Sequence, residues 1–79
     1  MSEAAPGEAY YEIAAFLGED YFLRPTPEAG RLVTIAGRDG VVTRWHVDMA
    51  TSLRLIQYAR DCPEMAPIES IPYNHGALR

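Results

Sequence analysis

Apolar residues recur at helical spacing near the start of the chain. Four of them lie at positions i, i+4, i+7 and i+8 and so share one helical face: Ala9, Ile13, Phe16 and Leu17. Gly7 or Glu8 can begin this helix, because a carboxylate in the first turn suits the positive end of the helix dipole. Gly18 is the residue type at which helices commonly end. The pattern predicts a first helix that ends just before Gly18.

The following segments have the composition of strands. Residues 20–24 (DYFLR) predict a short strand, because aromatic and branched side chains suit a pleated surface. The PTPEAG segment after it predicts a loop. RLVTIA (31–36) and VVTRWHV (41–47) predict a hairpin, because the GRDG between them (37–40) suits a type I turn followed by a left-handed glycine.

The alternation along the hairpin also predicts which face is buried. In the second strand one face is more apolar and is assigned to the core: Val41, Thr43, Trp45 and Val47. The other face carries Val42, Arg44 and His46. In the first strand we expect Val33 and Ile35 to point inward, in preference to Leu32, Thr34 and Ala36.

Asp48 is a good N-cap for a second helix that Pro63 ends. Its predicted buried stripe is Met49, Leu53, Ile56 and Arg60, flanked by Leu55 and Ala59. The residues expected to face water are Arg54, Gln57, Tyr58 and Asp61. PEMAP predicts a loop, and IESIPY (68–73) predicts an edge strand, to which Pro72 confines it.

These elements predict a small α+β domain in the order α-β-β-β-α-(β). The antiparallel sheet has three or four strands, and two helices pack on one face. Seventy-nine residues make a single domain, 1–79, in which residues 1–6 and 74–79 are expected to be flexible. A chain this short has a thin core, so a homodimer is an economical supplement. The bare sheet face would be a natural surface for a dimer or for another partner.

Charge is distributed unevenly along the chain. Residues 1–23 contain five acids and no base, whereas residues 24–79 contain seven arginines and six acids. The net charge of −4 therefore arises entirely in the first segment. An acidic domain of this kind is repelled by phosphates and attracted to basic protein surfaces.

Composition also indicates a cellular setting. Cys62 is the only cysteine, which fits a reducing cytosol. The N-terminus has no signal-peptide pattern, and no apolar run is long enough to span a bilayer. Every basic residue is arginine, a bias typical of high-GC bacteria and their phages. We expect a soluble protein in the cytoplasm of a bacterial host cell, with no membrane partner.

Residue types that support catalysis or metal binding are scattered. His46, Asp48, Cys62 and His75 lack the paired spacing of zinc ligands. Cys62 follows a helix C-terminus, where the dipole disfavours a thiolate. No serine lies in a nucleophile motif, and no glycine-rich loop precedes a helix. We therefore predict no enzymatic activity, no catalytic residue, no cofactor and no metal site.

Acidic and aromatic residues alternate over residues 7–22, GEAYYEIAAFLGEDYF. Tyrosine buries a large area at low entropic cost, and neighbouring carboxylates attract arginine or lysine on a partner. The predicted partner-binding residues are Glu8, Tyr11, Glu12, Glu19, Asp20 and Tyr21. The alternative interpretation is an acidic helix face that only keeps the protein soluble.

A second function hypothesis concerns the hairpin. Arg31, Arg38 and Arg44 lie on it with Trp45, and arginine beside an aromatic ring can stack bases. This pattern would suit a small transcriptional or nucleic-acid-binding regulator. The net negative charge disfavours direct nucleic-acid binding.

The small size, acidity and GEAYYEIAAFLGED segment (7–20) resemble those of phage anti-CRISPR proteins, especially inhibitors of type I surveillance complexes. The resemblance covers the whole chain in character, and no shared motif carries residues over. It implies a stoichiometric inhibitor that binds a multisubunit host protein complex at a basic surface. Such binding would block DNA entry or prevent nuclease recruitment.

Overall fold

A computed structural model describes residues 7–74 of the chain. These residues form three helices and three strands. The elements follow the order α-α-β-β-α-β: α1 (Glu8–Leu17), α2 (Glu19–Leu23), β1 (Ala29–Gly37), β2 (Val42–Val47), α3 (Met49–Asp61) and β3 (Met65–Asn74). The predicted α+β class is confirmed.

The three strands form one antiparallel sheet in the order β2-β1-β3. β1 and β2 are joined by the predicted hairpin turn, in which Gly40 has φ +85° and its N–H donates to the Gly37 carbonyl at 3.0 Å. After α3 the chain returns antiparallel to β1 on its other side. Ile68 is the extra residue at a bulge in β3, because Glu69 pairs with Thr34 while Pro67 pairs with Ile35.

The core lies between one face of the sheet and the helices. Val33 and Ile35 point inward, as predicted, and are fully buried. Thr43, Trp45 and Val47 are also buried, whereas Val41 at the end of the same face is exposed. The helices contribute four buried apolar side chains, and β3 contributes Met65: Ala9, Ile13, Leu55 and Ala59 come from α1 and α3.

The predicted strand at residues 20–24 is wrong, because residues 19–23 form the short helix α2. Gly18 forms the turn between α1 and α2 with φ +84°, a conformation that only glycine adopts easily. The turn directs Tyr21 and Phe22 onto Trp45, with ring centroids at 5.5 and 6.4 Å. Tertiary packing on an indole thus outweighs the strand propensity of this segment.

The predicted face of α3 is wrong in part, because its flanking residues Leu55 and Ala59 are buried while its main stripe is largely exposed. Met49 and Leu53 are 51% and 64% exposed, and the buried residues are Ser52, Leu55 and Ala59. Ser52 and Ala59 are small, so the helix can lie close to the sheet, and the Ser52 hydroxyl donates to the Met49 carbonyl at 2.6 Å. Tyr58, which is predicted to face water, is half-buried.

The predicted edge strand at 68–73 is confirmed and is longer than expected. β3 begins at Met65, inside the segment predicted as a loop. Pro67 and Pro72 lie in this edge strand, where a missing N–H is tolerated. Asn74, predicted to begin a flexible tail, is the last residue of β3. The predictions for residues 1–6 and for the rest of the tail, 75–79, lie outside the described residues.

Candidate protein-binding surface

The predicted partner-binding residues lie on α1 and α2, and we call this set the acidic surface: Glu8, Tyr11, Glu12, Glu19, Asp20 and Tyr21. Its first three members occupy the solvent side of α1, because positions i, i+3 and i+4 share one helical face. Tyr11 is 61% exposed. α1 rises about 1.5 Å per residue, so its ends lie about 14 Å apart. The α1 members of the acidic surface therefore form an elongated strip, and the other three members, Glu19, Asp20 and Tyr21, lie on α2.

Tyr21 has a different position from the one expected of a partner-binding residue. It is half-buried, and its ring packs on Trp45 with centroids 5.5 Å apart. Its hydroxyl accepts the backbone N–H of His46 at 3.3 Å. Tyr21 thus fastens α2 to the outer edge of β2 and exposes only part of its ring.

Trp45 organises the aromatic side chains behind the acidic surface. Tyr10 packs on the indole at 5.4 Å, beside Tyr21 and Phe22. The indole N–H donates to the Thr43 hydroxyl at 2.8 Å, which satisfies this buried donor. These ring contacts hold α2 against β2, and they therefore fix the position of the acidic residues of α2.

The sequence prediction missed two apolar side chains at this surface. Phe22 is 50% exposed and Leu23 is 77% exposed. The sequence predicts a strand at these residues, and neighbouring side chains of a strand point to opposite faces. Gly18 was the available signal: a helix stop followed by two acids also suits the first turn of a new helix.

Glu12 and Asp20 already have partners within the chain. The Tyr58 hydroxyl donates to Glu12 at 3.1 Å, and burial together with this carboxylate raises the pKa of Tyr58. The Tyr58 ring stacks on Phe16, with centroids 4.4 Å apart. Asp20 forms an exposed ion pair with Arg24 at 3.5 Å. A basic partner would compete with weak, solvated contacts at both carboxylates.

A groove of about 410 Å³ opens beside α2. It runs between α2 and the junction of β2 with α3, and residues 24–27 form a further wall. Its polar and aromatic walls include Asp20, Tyr21, Phe22, His46, Asp48 and Thr51. Asp48 is the N-cap of α3, and its pKa is lowered chiefly by a hydrogen bond from the Thr51 side chain. Arg24 also lines the groove and is ion-paired with Asp20, which leaves Asp48 and the two aromatic rings to attract a cationic guest.

The arginines of the nucleic-acid hypothesis do not share one surface. Arg31 lies on the helix-covered face, half-buried, where it donates to the Ser70 hydroxyl and carbonyl, each at 2.6 Å. Arg44 pairs with Thr34 and projects from the opposite face. Arg38 is exposed in the hairpin turn. The geometry separates the three cations instead of forming a basic stripe.

The residues considered for metal binding are dispersed as well. Within residues 7–74, no group of three or more His, Cys, Asp or Glu side chains could hold a metal ion. Cys62 is a free, half-buried thiol at the end of α3. His75 lies outside the described residues.

No helix in the described part of the chain is long and apolar enough to cross a membrane. Comparisons of the chain with protein-family models, curated proteins and solved structures found no match.

Proposed function

We propose that the protein is a non-enzymatic inhibitor that binds a host protein complex through the acidic surface. The observation that carries the proposal is the exposure of apolar side chains among carboxylates on α1 and α2. Tyr11, Phe22 and Leu23 are each at least half exposed. Glu8 and Glu19 lie close to them in the chain, on the same two helices.

This combination fits the energetics of protein recognition. Large exposed side chains become anchors when a partner buries them, because they supply most of the area at small entropic cost. Carboxylates at the rim attract a basic surface and accelerate encounter. A surface that served only solubility would need the carboxylates and not the apolar residues.

The groove beside α2 is a place where a side chain of the partner would bind. An arginine or lysine side chain of the partner would lie against Tyr21 and Phe22, whose rings pack edge to face with centroids 5.0 Å apart, and its charged end would approach Asp48. Cations are attracted to ring faces and to carboxylates, so both wall types favour the same guest.

The resemblance to phage anti-CRISPR proteins supplies the partner class. A type I surveillance complex has to hold DNA and therefore presents basic protein surface. An acidic strip that occupies such a surface would exclude DNA by competition for the same cations.

The first test measures DNA binding by a purified type I surveillance complex in the presence of the protein. We expect the wild type to inhibit stoichiometrically and the double variant Tyr11→Ser, Leu23→Ser to lose inhibition by tenfold or more. The matched control is Leu53→Ser, which removes a 64% exposed leucine from α3. Circular dichroism checks that all three proteins are folded.

A second variant pair tests the charge. Glu8→Gln with Glu19→Gln should slow association at low salt and reduce its salt dependence. Glu28→Gln with Glu64→Gln removes the same charge elsewhere and should leave the rate unchanged. Failure of the wild type to bind the complex, or equal loss from both pairs, would refute the proposal.

A further inference from the structure

The sheet has a second face that no described helix covers. On this face, each β1 side chain has a neighbour on β2 and another on β3. Ala36 lies between Val42 and Ala66, and Leu32 lies between His46 and Ile71. Val42 is 39% exposed and Ile71 is 43% exposed. We call this the open face. Along β1, Thr34 lies on the level between those of Ala36 and Leu32.

The charged side chains of the open face are arranged symmetrically about Thr34. Arg44 on β2 and Glu69 on β3 both pair with Thr34, so they flank it on one level. Both are exposed, whereas Thr34 between them is only 6% exposed. Within residues 7–74 the one ion pair joins Arg24 and Asp20, so Arg44 and Glu69 are not paired with each other.

We infer that the open face binds a second copy of this chain, an interaction independent of the acidic surface. When two sheets pack face to face about a two-fold axis parallel to β1, β2 of one copy lies over β3 of the other. Arg44 of each copy then faces Glu69 of the second copy at the same level. The contact is isologous, so the favourable ion pair occurs twice.

The charges also select this axis over the alternative. A two-fold axis in the interface plane but perpendicular to β1 would place β2 over β2. When such an axis passes at the level of Thr34, Arg44 faces Arg44 and Glu69 faces Glu69, which is repulsive. Aligned packing about the first axis also brings the Ala36 levels of the two copies together, and likewise their Leu32 levels, as in a β-sandwich.

The edges of the sheet make strand addition a poorer route to self-association. At the outer edge of β2, the N–H of His46 is already bonded to the Tyr21 hydroxyl. At the outer edge of β3, Pro67 and Pro72 have no N–H to donate. Both edges are therefore blunted, which leaves the open face as the contact surface.

The area predicts a weak dimer. Three strands about 4.8 Å apart and about 30 Å long present roughly 400 Å² per copy. Two copies bury about 800 Å² or somewhat more, below the 1,200–2,000 Å² of a standard stable interface. We expect dissociation in the micromolar range, observable at the concentrations of hydrodynamic experiments.

The test is sedimentation velocity of the full chain from about 1 μM to about 1 mM. Wild type should shift from monomer to dimer. Arg44→Glu and Glu69→Arg should each raise the dissociation constant at least tenfold, because each creates two like-charge contacts. An equimolar mixture of the two variants should dimerise again, since both contacts then join a glutamate to an arginine.

The matched controls are Arg60→Glu and Glu64→Arg, which make the same charge changes away from the open face and should dimerise like wild type. Recovery in the mixture also shows that the two test variants are folded. Wild type that stays monomeric at every concentration overturns the inference and leaves the open face to other segments or another protein. Dimers unaffected by either variant, or no recovery in the mixture, overturn it equally.

Discussion

Asp39 performs at long range the task that an N-cap side chain usually performs locally. Gly7 caps α1 but has no side chain to accept a helix N–H. Instead the carboxylate of Asp39, in the hairpin turn, accepts the N–H of Glu8 at 3.0 Å and that of Val41 at 3.1 Å. A carboxylate also suits the positive end of the helix dipole. One side chain thus joins the start of α1 to the turn.

The close contact explains why position 7 is glycine. A Cβ there would lie 2.6 Å from the Cβ of Val41 and 2.9 Å from an Asp39 oxygen. Contacts this short would push the helix away from the turn, so a larger residue would break the capping geometry. Gly7 and Asp39 therefore cap the start of α1 together.

This capping arrangement predicts how the stability of the fold depends on pH. The N–H of Glu8, followed by that of Val41, lowers the pKa of Asp39 from its ordinary value of 3.8. A lowered pKa in the folded state stabilises the fold above the unfolded pKa, and this stabilisation is lost as pH falls through the lowered value. Asp39→Asn should therefore unfold at lower temperature than wild type at pH 7, and the difference should shrink below about pH 4.

Thermal unfolding followed by circular dichroism from pH 7 to pH 2.5 measures the difference. Glu64→Gln is the control, because it removes an exposed carboxylate that has no such capping role, and it should track wild type throughout. A gap between Asp39→Asn and wild type that stayed constant down to pH 2.5 would contradict the capping account.

At the scale of elements, α3 shows how two apolar stripes can compete for burial. Met49, Leu53 and Ile56 form one stripe, and Ser52, Leu55 and Ala59 form another. The second stripe wins because its small members let the helix approach the sheet, while Leu55 fills the space and is fully buried. Hydrophobicity alone favours the first stripe, so the correct choice depends on the shape of the facing strands.

Substituting Leu53 and Leu55 in turn measures how much each stripe contributes to the free energy of unfolding. Leu55→Ala should lower the free energy of unfolding by about 2–5 kcal/mol, because it leaves a cavity in the core. Leu53→Ala removes an equal number of atoms from a 64% exposed site and should change it by about 0.5 kcal/mol or less. Urea denaturation at constant temperature measures both, and equal losses would show that the buried stripe is assigned wrongly.

The sequence predicts the structure correctly where the information is local. The hairpin follows from alternation and from GRDG, and Val33 and Ile35 were assigned inward because the strand period is two. The prediction is wrong at residues 20–24, where Trp45, distant in sequence, decides the conformation. The same limit applies to the acidic surface: its charge was readable from composition, but the anchoring of Tyr21 and the exposure of Leu23 were not.

At the scale of the whole molecule, stability and self-association are linked. Nine apolar side chains are buried in residues 7–74, a small core for a domain of this kind. A dimer that covers the open face would add to it, and anything that binds only the folded state raises apparent stability by mass action. The stability that the dimer adds would therefore depend on protein concentration.

This linkage predicts a concentration-dependent melting temperature. Above the dissociation constant, each tenfold rise in concentration should stabilise each monomer by about 0.7 kcal/mol, half of the tenfold free energy of 1.4 kcal/mol. For a domain of this size that corresponds to about 3–5 °C. Calorimetry at concentrations above the dissociation constant of wild type and below that of Arg44→Glu should show this slope for wild type and for Arg60→Glu, and a nearly flat line for Arg44→Glu. Parallel slopes for Arg44→Glu and wild type would mean that the supplement to the core comes from a surface other than the open face.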